Sequence, residues 1–370
     1  MKTIAEIVAR HQVLICAGSG GVGKTTTAAA LALHAAQQGR RTIVMTIDPA
    51  RRLADALGLR TLGNAARAVD IGVAGSLEAM MLDQKGAWDA LVERYAPSDE
   101  VRRRILANRF YQHLSESFAG SQEYMAIEQL AELHASGRYD LIVVDTPPTR
   151  HALDFLEAPR RIADFLNRQV IRWFIKPYFS AGWSTLRVVN RAAGSLLRRL
   201  EDATGVTALV EISDFFTSMS GLFDGFEARV QRVDKLLHSK HTAFVLVTSP
   251  EEQVLGEAEE FVRSLEGLAV PLRAVVFNRV QREALADWRR LDEAWLRELV
   301  GGVVKRAERA GRLVDNFLRY ETQARGDQLR MEAFRRQLGP KPVVAVVPNF
   351  DEDLHDLAGL RRMLPHLVAA

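Results

Sequence analysis

Cysteine is almost absent from this chain, which has a single one, Cys16, in 370 residues. One cysteine excludes an intrachain disulfide. It also excludes a thiolate cluster that would hold zinc, an iron–sulfur centre or a soft metalloid within one chain. A chain of this size without disulfides is typical of a reducing compartment. The sequence therefore predicts a cytoplasmic location.

Long apolar runs are missing as well. No stretch reaches the roughly 18 uncharged apolar residues that a membrane-spanning helix needs. Near the start of the chain, Arg10 and His11 interrupt the apolar residues, so the pattern of a secretory signal is not present. We expect any association with a membrane to be peripheral.

A strong net charge is the third feature that the chain lacks. The 49 Lys and Arg residues nearly balance the 46 Asp and Glu residues, which leaves +3. This is far below the charge density of a dedicated nucleic-acid binder and argues against DNA as the partner.

The cationic excess is local. Residues 160–200 contain nine Arg and Lys side chains against Asp164 alone, together with several aromatic residues: Trp173, Phe174, Tyr178, Phe179 and Trp183. A basic amphipathic region of this kind suits a membrane surface, an apolar client helix with acidic flanks, or nucleic acid. The core of a helical subdomain with a solvated basic face gives the same pattern.

Short apolar runs flanked by turn residues alternate with long helical patterns, which is typical of a parallel sheet buried on both faces. The predicted strands are residues 13–17, 42–47, 141–145, 244–248, 272–277 and 343–347. A helix rich in alanine and leucine is predicted over 24–38, ending before Gly39.

Three further segments are too long for simple crossovers between strands. Residues 83–136, 159–240 and 281–338 have apolar residues at helical spacing. We therefore predict one α/β domain over residues 1–370, with a mostly parallel sheet flanked by helices and an inserted α-helical subdomain.

The segment GSGGVGKT, residues 18–25, matches the phosphate-loop pattern G-x-x-x-x-G-K-[ST]. The apolar run VLICA precedes it and the alanine-rich helix follows it, which is the context that the pattern requires. Glycines let backbone N–H groups surround an anion. The predicted nucleotide-binding residues are Gly18, Ser19, Gly20, Gly21, Val22, Gly23, Lys24, Thr25 and Thr26.

Within this P-loop NTPase interpretation, each polar side chain has a predicted task. Lys24 is expected to reach the β- and γ-phosphates, the hydroxyl of Thr25 to coordinate Mg²⁺, and Thr26 to bond to the α-phosphate. The alternative is a glycine-rich structural turn.

Two aspartates follow predicted strands. Asp145 ends the apolar run in RYDLIVVDTPPT and is predicted to bind Mg²⁺ through water. Asp48, in TIDPARRL, also stands at the carboxyl end of a strand, and hence at the same sheet edge as the phosphate loop. Asp48 is placed to orient or deprotonate an attacking water, although an Asp-Pro turn gives the same pattern.

Three segments together resemble the ArsA/GET family of dimeric ATPases, which includes arsenite-pump subunits and tail-anchored-protein targeting factors. They are GSGGVGKTT, DPARRLAD and DTPPTRHALDFLEAP, where the family has G-K-G-G-V-G-K-T-T, D-P-A-H-x-L-x-D and D-T-A-P-T-G-H-T-L. VVFNRV and VVPNFDEDLHDLAGL match as well, so the resemblance covers nearly the whole chain. It implies ATP as substrate, Mg²⁺ as cofactor and a homodimer that closes over two ATP molecules.

The resemblance also implies roles for individual residues. Asp48 would be the water-activating group of a first switch, and Asp145 the magnesium-linked carboxylate that opens a second. Asn278 would contact the adenine, with the segment from Pro348 beside the same base, although an asparagine also caps strand ends. His151 would sense the nucleotide. No N-K-x-D motif for reading guanine occurs, which favours ATP over GTP.

The chain departs from the family pattern at the position of the signature lysine, which is Ser19 here. A transition-state cation of that kind contributes roughly a thousandfold to a hundred-thousandfold in rate. We hypothesise that Arg51 or Arg150, each in a switch segment, supplies the charge, or that a lysine-bearing paralogue does so in a heterodimer. The alternative is that both arginines are solvated surface residues.

Cysteine usage departs from the family in the same way. Arsenite is a soft thiophile, and one cysteine argues against arsenite as cargo. The zinc-bridging C-x-x-C of the eukaryotic targeting factors is absent, so a dimer would need other contacts.

Three functions are compatible with these features. The first is a Mg²⁺-dependent ATPase that couples ATP binding and hydrolysis to movement of a helical subdomain, which binds a client protein or a membrane partner. The second is a nucleotide-gated chaperone or binding module with little hydrolysis. The third is a ParA/MinD-like partitioning or positioning ATPase, which would bind DNA in a salt-sensitive way. The long helical segments and DTPPTRH favour a client-binding role over partitioning, whereas Ser19 favours the second function over the first.

Overall fold

A computed structural model describes residues 2–117, 121–148, 215, 226–284, 293–304, 307–339 and 342–369. Contacts divide the chain into two compact units. The first comprises Met1–Met80, Arg138–Leu153 and Lys240–Ala370, and the second Met81–Gly137 and Asp154–Ser239. The predictions for Arg150, His151 and the basic stretch 160–200 lie outside the described residues.

The first unit contains the sheet. Its strands in chain order are β1 (Val13–Ala17), β2 (Arg41–Thr46), β3 (Arg67–Val69), β4 (Ser76–Met81), β5 (Leu141–Asp145), β6 (Thr242–Thr248), β7 (Leu272–Val280) and β8 (Val343–Pro348). Within the described residues the order across the sheet is β3-β4-β2-β5-β1-β6-β7-β8. Neighbours from β2 to β8 pair in parallel, and β3 pairs with β4 antiparallel. The predicted α/β class with a mostly parallel sheet is confirmed.

Helices connect these strands. In chain order they are α1 (Ile4–Arg10), α2 (Lys24–Gln37), α3 (Arg52–Ala56), α4 (Gln84–Tyr95), α5 (Asp99–Ala107), α6 (Arg109–Ser117), α7 (Ser121–Ala135), α8 (Phe226–Leu237), α9 (Glu252–Gly267), α10 (Glu293–Val303), α11 (Ala307–Leu338) and α12 (Leu357–Val368). None of the described helices combines the length and the apolar composition that crossing a bilayer requires.

The register of the central strands brings three chain segments to one edge of the sheet. Asp145, the last residue of β5, pairs with Cys16 of β1 and with Thr46 of β2. Because β1 leads into the glycine-rich loop and β2 leads into Asp48, this edge gathers the loop and both aspartates. The strands are buried apolar runs such as VLICA and LIVVD, as expected for a parallel sheet covered on both faces.

Helix α2 forms the middle of the core of the first unit. Small alanines let it pack closely against β1, β2, β5 and α12, and most of its side chains are buried. Gly23 begins it and Gly39 lies just beyond its end with φ +84°, the left-handed conformation in which glycine often terminates a helix. The start of α2 is therefore fixed where its N–H groups face the loop.

The second unit, in its described part, consists of α4 to α8. Trp88 and Tyr124 are buried between these helices, and the hydroxyl of Tyr111 donates to Asp89 at 2.7 Å. A buried ion pair joins Arg229 of α8 to Glu128 of α7 at 2.8 Å. The arrangement of helical insertions within a single ATPase domain stays a prediction.

Candidate functional site

The glycine-rich loop between β1 and α2 adopts a backbone that needs its glycines. Gly21 and Gly23 have φ of +76° and +91°, where residues with a side chain are strained. A Cβ on Gly18 would lie 2.0 Å from the carbonyl oxygen of Val247, and one on Gly23 would lie 2.2 Å from Nδ2 of Asn278. The glycines therefore permit both the turn and the close approach of neighbouring groups.

Lys24 is buried at the start of α2, and its ammonium lies inside the loop. Nζ donates to the carbonyl oxygen of Ser19 at 2.8 Å. Burial lowers the pKa of Lys24, whereas the carboxylates of Asp145 and Asp48 raise it. The Lys24 ammonium is therefore bonded to the backbone of the loop itself, at the position where an anion bound in the loop would contact it.

Asp145 is 1% exposed and has two unlike carboxylate oxygens. Oδ2 accepts hydrogen bonds from the hydroxyls of Thr25 and Thr46, both at 2.8 Å. Oδ1 is buried and has no hydrogen-bond partner among the described residues. Burial raises the pKa of Asp145 to about 6, although the two hydroxyls and Lys24 pull it down.

The Thr25 hydroxyl and the Asp145 carboxylate fit Mg²⁺, which prefers hard oxygen ligands. A buried carboxylate oxygen without a partner is costly, and a cation or its bound water would satisfy it. In the described part of the chain, no group of three or more His, Cys, Asp or Glu side chains could hold a metal ion. A metal here would take its remaining ligands from water and from phosphate oxygens, as Mg²⁺ commonly does.

Asp48 begins the segment that follows β2. Its backbone N–H donates to the Thr46 hydroxyl at 3.2 Å, and its Oδ1 accepts from the N–H of Ala50 at 3.0 Å. Oδ2 lies 3.6 Å from the guanidinium of Arg52. Asp48 therefore forms the turn that the Asp-Pro pattern predicted, while its second carboxylate oxygen points to a cation beside the loop.

Lys24, Thr25 and Asp48 line one cavity of about 530 Å³, within the size range of small-molecule sites, and Asp145 lies behind its wall, bonded to Thr25. Loop residues 20, 21 and 23–26 form one wall, with Asp48, Arg52, Thr146 and Pro148 beside them. The far wall comes from the ends of β7 and β8 and the residues after β8, including Asn278, Arg279, Pro348 and Phe350. The structure thus brings together Lys24, Thr25, Asp48, Asp145 and Asn278, which the sequence predicts as site residues.

Asn278 connects the far wall to the loop. Its Nδ2 donates to the carbonyl oxygen of Val22 at 2.8 Å, and its Oδ1 has no hydrogen-bond partner among the described residues. The next residue, Arg279, has φ +58°, a left-handed conformation that is uncommon outside glycine. One acceptor of Asn278 is therefore available to a ligand.

Two cations at the cavity are absent from the sequence-based site prediction, Arg52 and Arg279. Arg51, which is predicted, is exposed like Arg52 but is not among the residues that line this cavity, and Arg150 lies outside the described residues. Asp48 to Arg51 precede α3, so helical spacing gives no signal that would have selected Arg52 from the sequence. Ser19 is buried, and its hydroxyl has no partner in the described part of the chain.

Comparison with known proteins agrees with this geometry. The ATPase GET3 of Malassezia globosa is 28% identical over 268 residues, which covers 72% of this chain and 72% of that protein. The ATPase get3 of Aspergillus terreus is 29% identical over 266 residues, 71% of each chain. The putative arsenical pump-driving ATPase 1 of Aquifex aeolicus is 24% identical over 306 residues, 78% of this chain and 70% of that protein. The family model for the anion-transporting ATPases, ArsA_ATPase, matches residues 11–299, and the chain therefore belongs to this family.

Proposed function

We propose that this chain is a Mg²⁺-dependent ATP hydrolase that uses the cavity beside the glycine-rich loop. The observation that carries the proposal is the convergence of Lys24, Thr25, Asp145 and Asp48 at one edge of the sheet. A cation, a metal-binding pair of oxygens and a second carboxylate are the groups that phosphoryl transfer to water requires.

Binding of the triphosphate replaces bonds that the loop makes with itself. The ammonium of Lys24 leaves the Ser19 carbonyl, 2.8 Å away, for the β- and γ-phosphates. The N–H groups at the start of α2 and the helix dipole face the same phosphates. Mg²⁺, when bound with the nucleotide, neutralises charge on the β- and γ-phosphate oxygens. Thr25 and Asp145 are the residues that would hold it.

Asp48 orients the attacking water. Its Oδ1 is fixed by the N–H of Ala50 at 3.0 Å, so the side chain has a defined direction. Oδ2 is the oxygen left to accept a proton or a hydrogen bond from water. Arg52, 3.6 Å from Oδ2, lines the same cavity as the loop, and from there it can approach a transferred phosphoryl group.

Arg52 is accordingly our candidate for the charge that Ser19 does not provide. Arg51, Arg150 and a lysine from a paralogue in a heterodimer are the competing sources. All four hypotheses place a cation at the γ-phosphate, and they differ in which substitution slows hydrolysis.

ATP rather than GTP is the substrate. The Oδ1 of Asn278 is an acceptor without a partner among the described residues, at the wall that Pro348 and Phe350 share. Adenine presents an amino donor at the position where guanine presents a carbonyl acceptor. An acceptor at this wall therefore attracts adenine and repels guanine.

Hydrolysis serves a binding event. The relatives' names include an arsenical pump-driving ATPase, so an ATPase of this kind works for a partner protein. In this chain the partner is a client protein or a membrane-associated protein, and the working form is a dimer. The exposed apolar residues Trp295, Leu299 and Val303 stand at intervals of four along α10, so they offer one apolar face to a partner.

Asp48→Asn tests the hydrolase directly. The variant is expected to bind Mg²⁺ and ATP as the wild type does, because the amide keeps the turn to Ala50. It is expected to release phosphate about a hundredfold more slowly or worse, because the water loses its acceptor. The measurement is steady-state phosphate release beside an equilibrium titration with ATP. Equal rates in the variant and the wild type would contradict the role of Asp48, and a magnesium-independent rate would contradict the proposed reaction.

A further inference from the structure

The buried face of α11 carries two carboxylates where apolar residues are expected. Glu321 is 2% exposed and Asp327 is 4% exposed. Their neighbours on this face are Ala310, Val314, Ala324, Met331 and Phe334. Burying a carboxylate is unfavourable unless hydrogen bonds compensate. An apolar pair would stabilise the helix at least as well, so the two acids point to a task other than packing.

Both carboxylates bind the backbone of one short segment. Oε1 of Glu321 accepts from the N–H of Ala284 at 2.7 Å, and Oδ2 of Asp327 accepts from the N–H of Gln281 at 3.1 Å. The other oxygen of Asp327 accepts from Arg330 at 2.7 Å, and Arg330 also donates to the carbonyl of Pro250. Residues 281–284, which follow β7, are therefore hydrogen-bonded to α11 through two backbone N–H groups.

At the end of β7, pairing with the neighbouring strand does not fix the position of the chain. The pairing of β7 with β8 shifts between Phe277 and Val280, so the regular ladder does not fix the residues between them. Those residues are Asn278 and Arg279, which line the cavity. Asn278 is hydrogen-bonded to the glycine-rich loop. The segment 281–284, which is hydrogen-bonded to α11, begins two residues after Arg279.

Helix α11 also contacts the residue that precedes Asn278 in β7. The ring of Phe334 meets the ring of Phe277 edge to face, with centroids 5.8 Å apart. Phe277 directly precedes Asn278 in β7. Apolar packing thus fixes the strand before Asn278, and the two carboxylates fix the chain after Arg279.

We propose that Glu321 and Asp327 are positioning residues for the base of the nucleotide. They act through backbone hydrogen bonds to residues 281–284, which hold the Oδ1 of Asn278 at the distance from the loop where it meets the base of a bound purine nucleotide. This inference rests on the proposed function. In this proposal α11 contributes to selectivity for the base, whereas the glycine-rich loop binds the phosphates.

Glu321→Leu is the decisive variant, because leucine removes the acceptor and keeps the face buried. We expect the variant to melt at or above the wild-type temperature, since it replaces a buried charge by an apolar group. We expect its affinity for ATP with Mg²⁺ to fall by about tenfold, the factor of one ordinary hydrogen bond. The preference for ATP over GTP is expected to shrink, while binding of inorganic triphosphate stays within about twofold.

Two matched variants control the experiment. Glu321→Gln keeps an oxygen that can accept from Ala284, so it is expected to bind ATP as the wild type does. Glu332→Leu places the same substitution at an exposed position of α11 and is expected to change nothing. Should the leucine variant fail to fold, Ala284→Pro removes the donor from the segment side and carries the same test.

The outcomes separate this inference from the proposed function. A wild-type chain that binds neither ATP nor triphosphate overturns both. A wild type that binds ATP, beside a Glu321→Leu variant with unchanged affinity and unchanged ATP preference, overturns the inference alone. Equal loss of ATP, GTP and triphosphate in the variant also overturns it, because a general loss of binding indicates a structural role.

Discussion

At the scale of single residues, the positions of Arg51 and Arg52 indicate which of them replaces the charge of the family's signature lysine. Both arginines are exposed, but Arg52 lines the cavity with its guanidinium 3.6 Å from Asp48, whereas Arg51 lines no part of that cavity. A positioned cation lowers the barrier to phosphoryl transfer because it neutralises charge that develops on the phosphate oxygens.

Arg52→Ala is therefore expected to reduce kcat for ATP hydrolysis by about tenfold or more, and Arg51→Ala by less than about threefold. Steady-state phosphate release at saturating ATP and Mg²⁺ measures both. Because the two substitutions remove the same charge from adjacent positions, each controls for the other. A drop confined to Arg51→Ala would assign the charge to Arg51, and two unaffected variants would leave Arg150 or a second chain as its source.

The ionisation of Asp145 makes the free energy of unfolding depend on pH. Burial raises its pKa from 3.8 to about 6. Between those two values the folded chain keeps a proton that the unfolded chain has released. The free energy of unfolding therefore falls as pH rises from about 4 to about 6, and levels off above that range. At about 1.4 kcal/mol per pKa unit, the ionised carboxylate destabilises the metal-free protein by about 3 kcal/mol at neutral pH.

Asp145→Asn is expected to abolish this titration. The amide oxygen can accept from Thr25 and Thr46 as Oδ2 does, and no charge is buried. In nucleotide-free and metal-free buffer the variant should be more stable than the wild type at pH 7.5, by about 2 kcal/mol, and equal to it near pH 4. Denaturant unfolding across this pH range measures the difference. A variant that is less stable at pH 7.5 would contradict the stated cost of the buried carboxylate.

At the scale of elements, sequence patterns predict the loop and the central strands well because each is fixed locally. The glycine spacing of the loop and the apolar runs of β1 and β5 depend on short stretches, and the predicted bounds of those two strands are the observed ones. Strands β3 and β4 are not predicted. RAV and SLEAMM are short, partly exposed and antiparallel at the sheet edge, so neither shows the apolar run of a buried strand.

Helix α11 shows where sequence patterns fail. Its apolar spacing predicts a helix, but Glu321 and Asp327 read as solvent-facing in any pattern that separates polar from apolar residues. Their burial follows from backbone donors at Gln281 and Ala284, which the fold brings together. Arg52 is missed for a related reason, because two adjacent arginines look alike until α3 gives one of them the side facing Asp48.

At the scale of the whole molecule, the candidate site is a consequence of parallel topology. Residues from five distant segments, around positions 24, 48, 145, 278 and 348, meet because the carboxyl ends of parallel strands share one edge. The sequence order of the motifs therefore predicts that the site exists, and the register of β5 between β1 and β2 brings its oxygens within hydrogen-bond distance. The spacing between Asn278 and the loop depends on the packing of α11 and could not be predicted from the motifs.

Calorimetric titration of the purified chain with ATP, in the presence and absence of Mg²⁺, shows whether the glycine-rich loop binds a triphosphate. We predict saturable binding of one ATP per chain that strengthens with Mg²⁺ and is lost in Lys24→Ala, because the loop then has no cation for the β- and γ-phosphates. Absence of binding by the wild type, or equal binding by Lys24→Ala, would contradict this prediction.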